Sequence, residues 1–195
     1  MRRSTDPEDA VTFAIDRARF DDAPRFAAWI ATAVKHADLW SGLYRTASVP
    51  AEAIEAARQD GAGFRLLALS EDWCGDAVST LPVVARLAEG AGLDLRVLNR
   101  DANPDIMDAH LTSGTRSIPV VMILDAGGRE RGWWGPRPAP LQRWMRDEAL
   151  LLPKEERTRR KRAWYARDRG RTTVAEILDA LRRARRRERR LAPSG

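Results

Sequence analysis

From residue 22 onward the apolar positions recur at helical spacing. Phe26, Trp29, Ile30, Ala33, Ala37 and Trp40 follow Asp22, a candidate N-cap, and Pro24, placed for a first turn. The spacing predicts one amphipathic helix over this stretch. A second, shorter helix is predicted with Ser48 as its cap, Pro50 in its first turn, and Ile54 and Ala57 inside, ending before Gly61. Residues 1–20 scatter Val11, Phe13, Ile15 and Phe20 among charges and predict no element.

Beyond residue 62 the period changes. Residues 64–69 read as a buried strand, 76–89 as a helix stopped by Gly90 and Gly92, 93–98 as a second strand and 104–111 as another helix. A third strand spans 120–124, Ala126-Gly127-Gly128 supplies a turn that needs positive φ, and 129–134 returns antiparallel. Near the end, Thr173 and Glu176 form a capping box, and Val174, Ile177, Leu178 and Leu181 give an apolar stripe for a helix that closes one face of the sheet. Between hairpin and closing helix, Leu141, Trp144, Met145 and Ala149 suit one amphipathic helix, and 154–169 suits a strongly basic one carrying Trp164 and Tyr165. The pattern thus predicts an N-terminal helical extension over 1–61 and an α/β domain over 62–195 with a helical insertion at about 136–170.

Composition narrows the class. With 195 residues, 44% hydrophobic and 32% charged, the chain is long enough for a real core and reads as soluble and globular. Apolar runs such as 119–124 are too short to cross a bilayer, so no membrane partner is expected. Met1, Arg2 and Arg3 give way to Asp6, Glu8 and Asp9 with no apolar leader, which predicts a cytoplasmic location. One cysteine excludes an intramolecular disulfide and agrees with a reducing compartment. His36 and His110 lack neighbours at metal-ligand spacing, so they read as surface or satisfied structural residues, with no metal and no cofactor expected. The net charge of +6 divides into −4 over residues 1–153 and +10 from Lys154 onward. The run 182–190 has no interleaved aromatic residue and reads as a solvated helix end, with nucleic-acid association a third-ranked function.

The chemistry gathers in 64–82, FRLLALSEDWCGDAVSTLP. A strand here delivers a lone thiol, Cys74, to the first turn of a helix, where free amide N–H groups and the helix dipole favour thiolate. Glu71, Asp72 and Asp76 act the other way, raising the thiol pKa to the extent that exposure does not screen them. A cysteine after tryptophan at a helix start is expected to be exposed and functional. Trp73 is expected in the wall of its site, whereas Trp133, Trp134 and Trp144 are expected in packing.

The order βαβ, α, ββ, α with Trp-Cys at the end of the first strand resembles the thioredoxin fold. Trp73-Cys74-Gly75 stands where the thioredoxin WCGPC motif begins, and Pro82 matches the proline of its active-site helix. The segment 98–104, LNRDANP, is similar to the family's LNIDxNP, and Arg116-Ser117-Ile118-Pro119 matches the stretch ending in its cis-proline. The likeness is close over about 64–134 and loose for the last helix; the leading helices and the wording SEDWCGDA resemble a bacterial thioredoxin-like subgroup. It implies a three-layer fold around a mixed four-stranded sheet. It also implies Cys74 as nucleophile and a substrate groove made by Trp73, Gly75, Ile118 and Pro119, with Arg116 and Asp76 as possible modulators of the thiol. Departures are as informative. The second cysteine falls at Ala77, the intervening proline at Asp76, the buried acid at Ala68 and its lysine companion at Val97. These losses agree with one another, since a buried carboxylate with no resolving thiol to serve only costs desolvation energy.

Two functions compete. The first is monothiol thiol–disulfide exchange, Cys74 attacking protein or small-molecule disulfides and an external thiol such as glutathione releasing the adduct. The second is a redox-silent binding module using the same groove for peptides, and fold alone does not choose between them. The oligomeric state stays open, including a dimer bridged through Cys74.

Overall fold

The computed structural model describes residues 13–191. Its sheet runs in the order β2-β1-β3-β4, with β1 Arg65–Ser70, β2 Leu95–Asn99, β3 Val120–Leu124 and β4 Glu130–Trp134. β1 is parallel to β2 and antiparallel to β3, so Ala68 lies between Val97 and Val121. This mixed sheet, flanked by helices, is the expected α/β architecture. β3 is buried along its whole length, which explains its unbroken apolar sequence, VVMIL. The β3–β4 hairpin turns at Gly128, whose φ of +79° and closeness to the Ile15 carbonyl leave no room for a Cβ.

Four short helices precede β1: α1 Arg17–Asp22, α2 Phe26–Ala31, α3 Ala37–Thr46 and α4 Ala51–Gly61. The single helix expected from Asp22 to Trp40 is therefore broken twice. Pro24 holds Ala23 in an extended conformation, so Asp22 ends α1 and caps nothing. The second break, closed by His36 at φ +57°, folds Trp40 back onto Trp29 in a T-shaped contact with centroids 5.2 Å apart. On one straight helix these rings would stand roughly 16 Å apart along the axis. Pro50, not Ser48, is the N-cap of α4. The segment 13–16, for which the sequence predicted nothing, pairs with the hairpin tip: the Ile15 amide donates to the Gly128 carbonyl and the Glu130 amide to that of Phe13, each at 2.9 Å. Val11 lies outside the described residues.

After β1 comes α5, Gly75–Ala91, carrying Pro82; α6, Pro104–Asp108, follows β2. After β4 come α7, Ala139–Asp147, a 3-10 turn at Ala149–Leu151, α8, Lys154–Asp168, and α9, Arg171–Leu191. α9 packs on β3, β4, α4 and α5. Its start differs from the expected capping box, because α9 begins before Thr173, which is buried with no partner for its hydroxyl. Glu176 instead accepts the Trp134 indole N–H at 2.7 Å and the Ala139 amide at 2.8 Å, tying β4, α7 and α9 together. Phe20, Phe26 and Trp40 of the leading helices share one continuous apolar core with Leu67 and Leu69 of β1, Leu81 of α5 and Ile177 of α9. Among the described residues, no helix is long and apolar enough to cross a membrane.

Candidate functional site

The turn 71–73 between β1 and α5 is held from three sides. The Glu71 carboxylate is buried and accepts the Asp101 amide at 2.9 Å, which joins the turn to the end of β2. Asp72 accepts the Val34 and Lys35 amides at 2.9 and 2.8 Å, and these N–H groups together with that of Trp73 and the charge of Lys35 outweigh burial and hold its carboxyl below the usual range. The Asp72 carbonyl accepts the indole N–H of Trp40, itself fully buried. The break between α2 and α3 is thus what grips the turn before Cys74, a role with no local signature in the sequence. Trp73 is left 46% exposed, with the Arg100 guanidinium 4.9 Å from its ring centre.

Cys74 is the N-cap of α5 and receives the Ala77 amide N–H at 3.4 Å. Its thiol in turn donates to the Ile118 carbonyl at 3.4 Å. The expected exposed thiol is instead 8% exposed, and it is free. Burial pushes its pKa above the usual cysteine range; the Asp76 carboxylate reinforces this, while the Ala77 amide and the Lys161 ammonium oppose it. The peptide bond from Ile118 to Pro119 is cis, and both residues are buried beside the thiol.

Asp76 stands not on an open first turn but in a buried polar cluster, 4% exposed. Its Oδ2 accepts from Arg137 at 2.7 Å and 3.2 Å, and its Oδ1 meets the Tyr165 hydroxyl at 2.9 Å and Lys161 Nζ at 3.0 Å. Burial works to raise this carboxyl, but Arg137 and Lys161 outweigh it and keep Asp76 ionised below the usual range. Burial and then the Asp76 charge drive the Tyr165 hydroxyl upward, so it stays a proton donor. All three partners come from the segment after β4, 61 to 89 residues away for Arg137 and Tyr165. Sequence reasoning missed them because neither a basic helix, which carries Lys161 and Tyr165, nor the loop before α7, which carries Arg137, gives any sign of which residues turn inward.

The other anticipated residues are less concentrated. Gly75 opens α5, and a Cβ there would meet open space. Arg116 turns to Asp108, in a two-pronged pair at 2.7 Å, while the cation that acts on Cys74 is Lys161. His110 is buried between the Ile106 carbonyl and Glu130, each at 2.6 Å. Among the described residues, no group of His, Cys, Asp and Glu is placed to hold a metal ion. The arrangement offers an exposed aromatic ring, Trp73, next in sequence to a buried thiol that is hydrogen-bonded to the Ile118 carbonyl.

A family model for thioredoxin matches residues 23–152. Among solved structures, a protein of unknown function from Pseudomonas aeruginosa superposes with TM-score 0.66 at 20% identity, covering 86% of this chain and 97% of that one. An HIV epitope-scaffold gives TM-score 0.64 at 18% identity, covering 86% and 98%. At these identities the likeness speaks to the fold alone. No curated protein matches the sequence.

Proposed function

Because the chain belongs to the thioredoxin family, we propose that it is a thioredoxin-fold protein-binding module whose groove beside Trp73 and Pro119 receives an extended segment of a partner, with Cys74 protonated and redox-silent. One observation carries this reading: the Cys74 thiol is buried and donates a hydrogen bond to the Ile118 carbonyl. A thiolate at that place faces a carbonyl oxygen and a neighbouring carboxylate, which disfavours the nucleophilic form. The exposed Trp73 ring supplies the kind of aromatic anchor on which peptide recognition concentrates. In this reading the leading helices hold the site loop in place through Val34, Lys35 and Trp40, and the α/β domain presents the groove. A reducing cytoplasmic setting suits a lone buried thiol.

Monothiol exchange is the second reading, favoured by the Ala77 amide pointing at Sγ from the start of α5. It needs an external thiol of the glutathione class to release the adduct. Alkylation of Cys74 followed against pH separates the two. The binding reading expects slow labelling that titrates above pH ~9, above the free-cysteine value, and no adduct with glutathione disulfide at neutral pH. Rapid labelling near pH 7 with a resolvable glutathione adduct overturns it in favour of exchange. Random-peptide phage selection against the full chain tests the groove. An enriched consensus is expected that Trp73→Ala abolishes and Cys74→Ala retains; no enrichment, or loss with Cys74→Ala alone, refutes the module.

A further inference from the structure

α8 is unusual among the helices that cover this fold. It is 15 residues long, yet only Tyr165 on it is buried, and its sequence, KEERTRRKRAWYARD, is polar on every side. A helix without an apolar stripe has little hydrophobic burial to hold it down. Its attachment is polar and converges on one group: the Tyr165 hydroxyl and Lys161 Nζ both meet Asp76 Oδ1. Arg137, from the loop leading into the same segment, takes Asp76 Oδ2. Asp76 lies two residues past Cys74, and Lys161 and Tyr165 stand near enough for each to interact electrostatically with that thiol.

From this geometry we infer that α8 is a detachable cover over the Cys74 end of the groove, latched through Tyr165 and Lys161 onto Asp76, and that its release is what admits solutes to the thiol. Opening withdraws the buried Tyr165 and the half-buried Trp164 that packs on it and leaves the sheet, α5 and α9 packed as they are, so it is a local event of the kind drawn from the least stable part of a structure. The remaining ions do not forbid it. Arg137 sits in the loop before α7 and stays on Asp76 when α8 lifts, so the buried carboxylate is never left without a cation. The cover regulates the groove proposed above and rests on that reading only in its placement; the accessibility of Cys74 is read without any partner.

The test uses the full chain and a small neutral thiol reagent, iodoacetamide, at one fixed pH. Tyr165→Phe keeps the ring and the Asp76 charge and removes only the hydroxyl, so the intrinsic reactivity of Cys74 changes little while the latch weakens. Labelling is expected to rise on the order of ten-fold, the effect of one lost hydrogen bond to a charged group. Hydrogen exchange in the wild type is expected to show the amides of Lys154–Asp168 exchanging as a block well before those of α5, and earlier still in Tyr165→Phe. Should Tyr165→Phe lose its native far-UV circular dichroism, the order of exchange of the α8 and α5 amides in the wild type decides by itself. Unchanged labelling in a natively folded variant, or α8 amides that exchange only with global unfolding, overturns the cover. A groove that binds no peptide leaves these ratios untouched, so the two readings fail separately.

Discussion

His110 shows how much a single side chain takes from its surroundings. Its Nδ1 faces the Ile106 carbonyl, which only accepts, and its Nε2 faces the Glu130 carboxylate, so the doubly protonated ring suits both neighbours. Burial works to lower its pKa, but the bonds to Glu130 and Ile106 outweigh that and raise it above the ordinary histidine value. A folded-state pKa above the unfolded one contributes stability that is complete below pH ~6.5 and is lost as pH rises through the folded value. Chemical unfolding from pH 5 to 9 is expected to show that decline, and Glu130→Gln to flatten it while costing about 3 kcal/mol at pH 6. A pH-independent midpoint in the wild type contradicts the assignment. Two residues in the sequence, twenty apart and each ordinary alone, gave no hint of this pair. Cys74 is the opposite case, since its place at a strand-to-helix junction was legible and its burial was not.

At the scale of elements, the sheet strands and α5 followed directly from their apolar periods, because each buries a regular face of its own sequence. The breaks were harder. The helix expected from 22 to 40 satisfied one face on paper, and only the need to stack Trp29, Phe26 and Trp40 together decided that the chain should turn at residues 32–36. The expected capping box failed for a similar reason, as Glu176 is taken by Trp134 and Ala139 from other elements. Removing that acceptor leaves two N–H donors without their partner. Glu176→Ala is therefore expected to destabilise the protein by about 1–2 kcal/mol. Urea unfolding measures it, and a change within experimental scatter shows that α7 and β4 need no such tie.

Across the whole molecule the basic C-terminal segment is less free than its composition implied. Arg182 pairs with Asp60 at 3.0 Å, Arg185 donates to the Ala62 carbonyl and lies 5.0 Å from the Phe64 ring, and Arg187 donates to the Arg131 carbonyl. These arginines fasten α9 across α4 and the entry to β1, where the sequence suggested a solvated helix end. Arg185→Ala is expected to cost about 1–2 kcal/mol through the lost cation–ring contact and hydrogen bond, and to lower Tm by roughly 2–8 °C for a chain of this size. Calorimetry decides, and an unchanged Tm returns the arginine to solvent.

By itself the sequence determined the order of strands and helices from β1 onward, the position of the thiol between strand and helix, and the absence of a resolving cysteine, because these depend on local period and residue identity alone. Only the tertiary structure decided that Cys74 is buried with its proton engaged, that Asp76 is paired rather than exposed, and that the basic insertion reaches back to it. Burial and charge pairing are made between residues tens of positions apart, and no local pattern records which distant donor a carboxylate will meet.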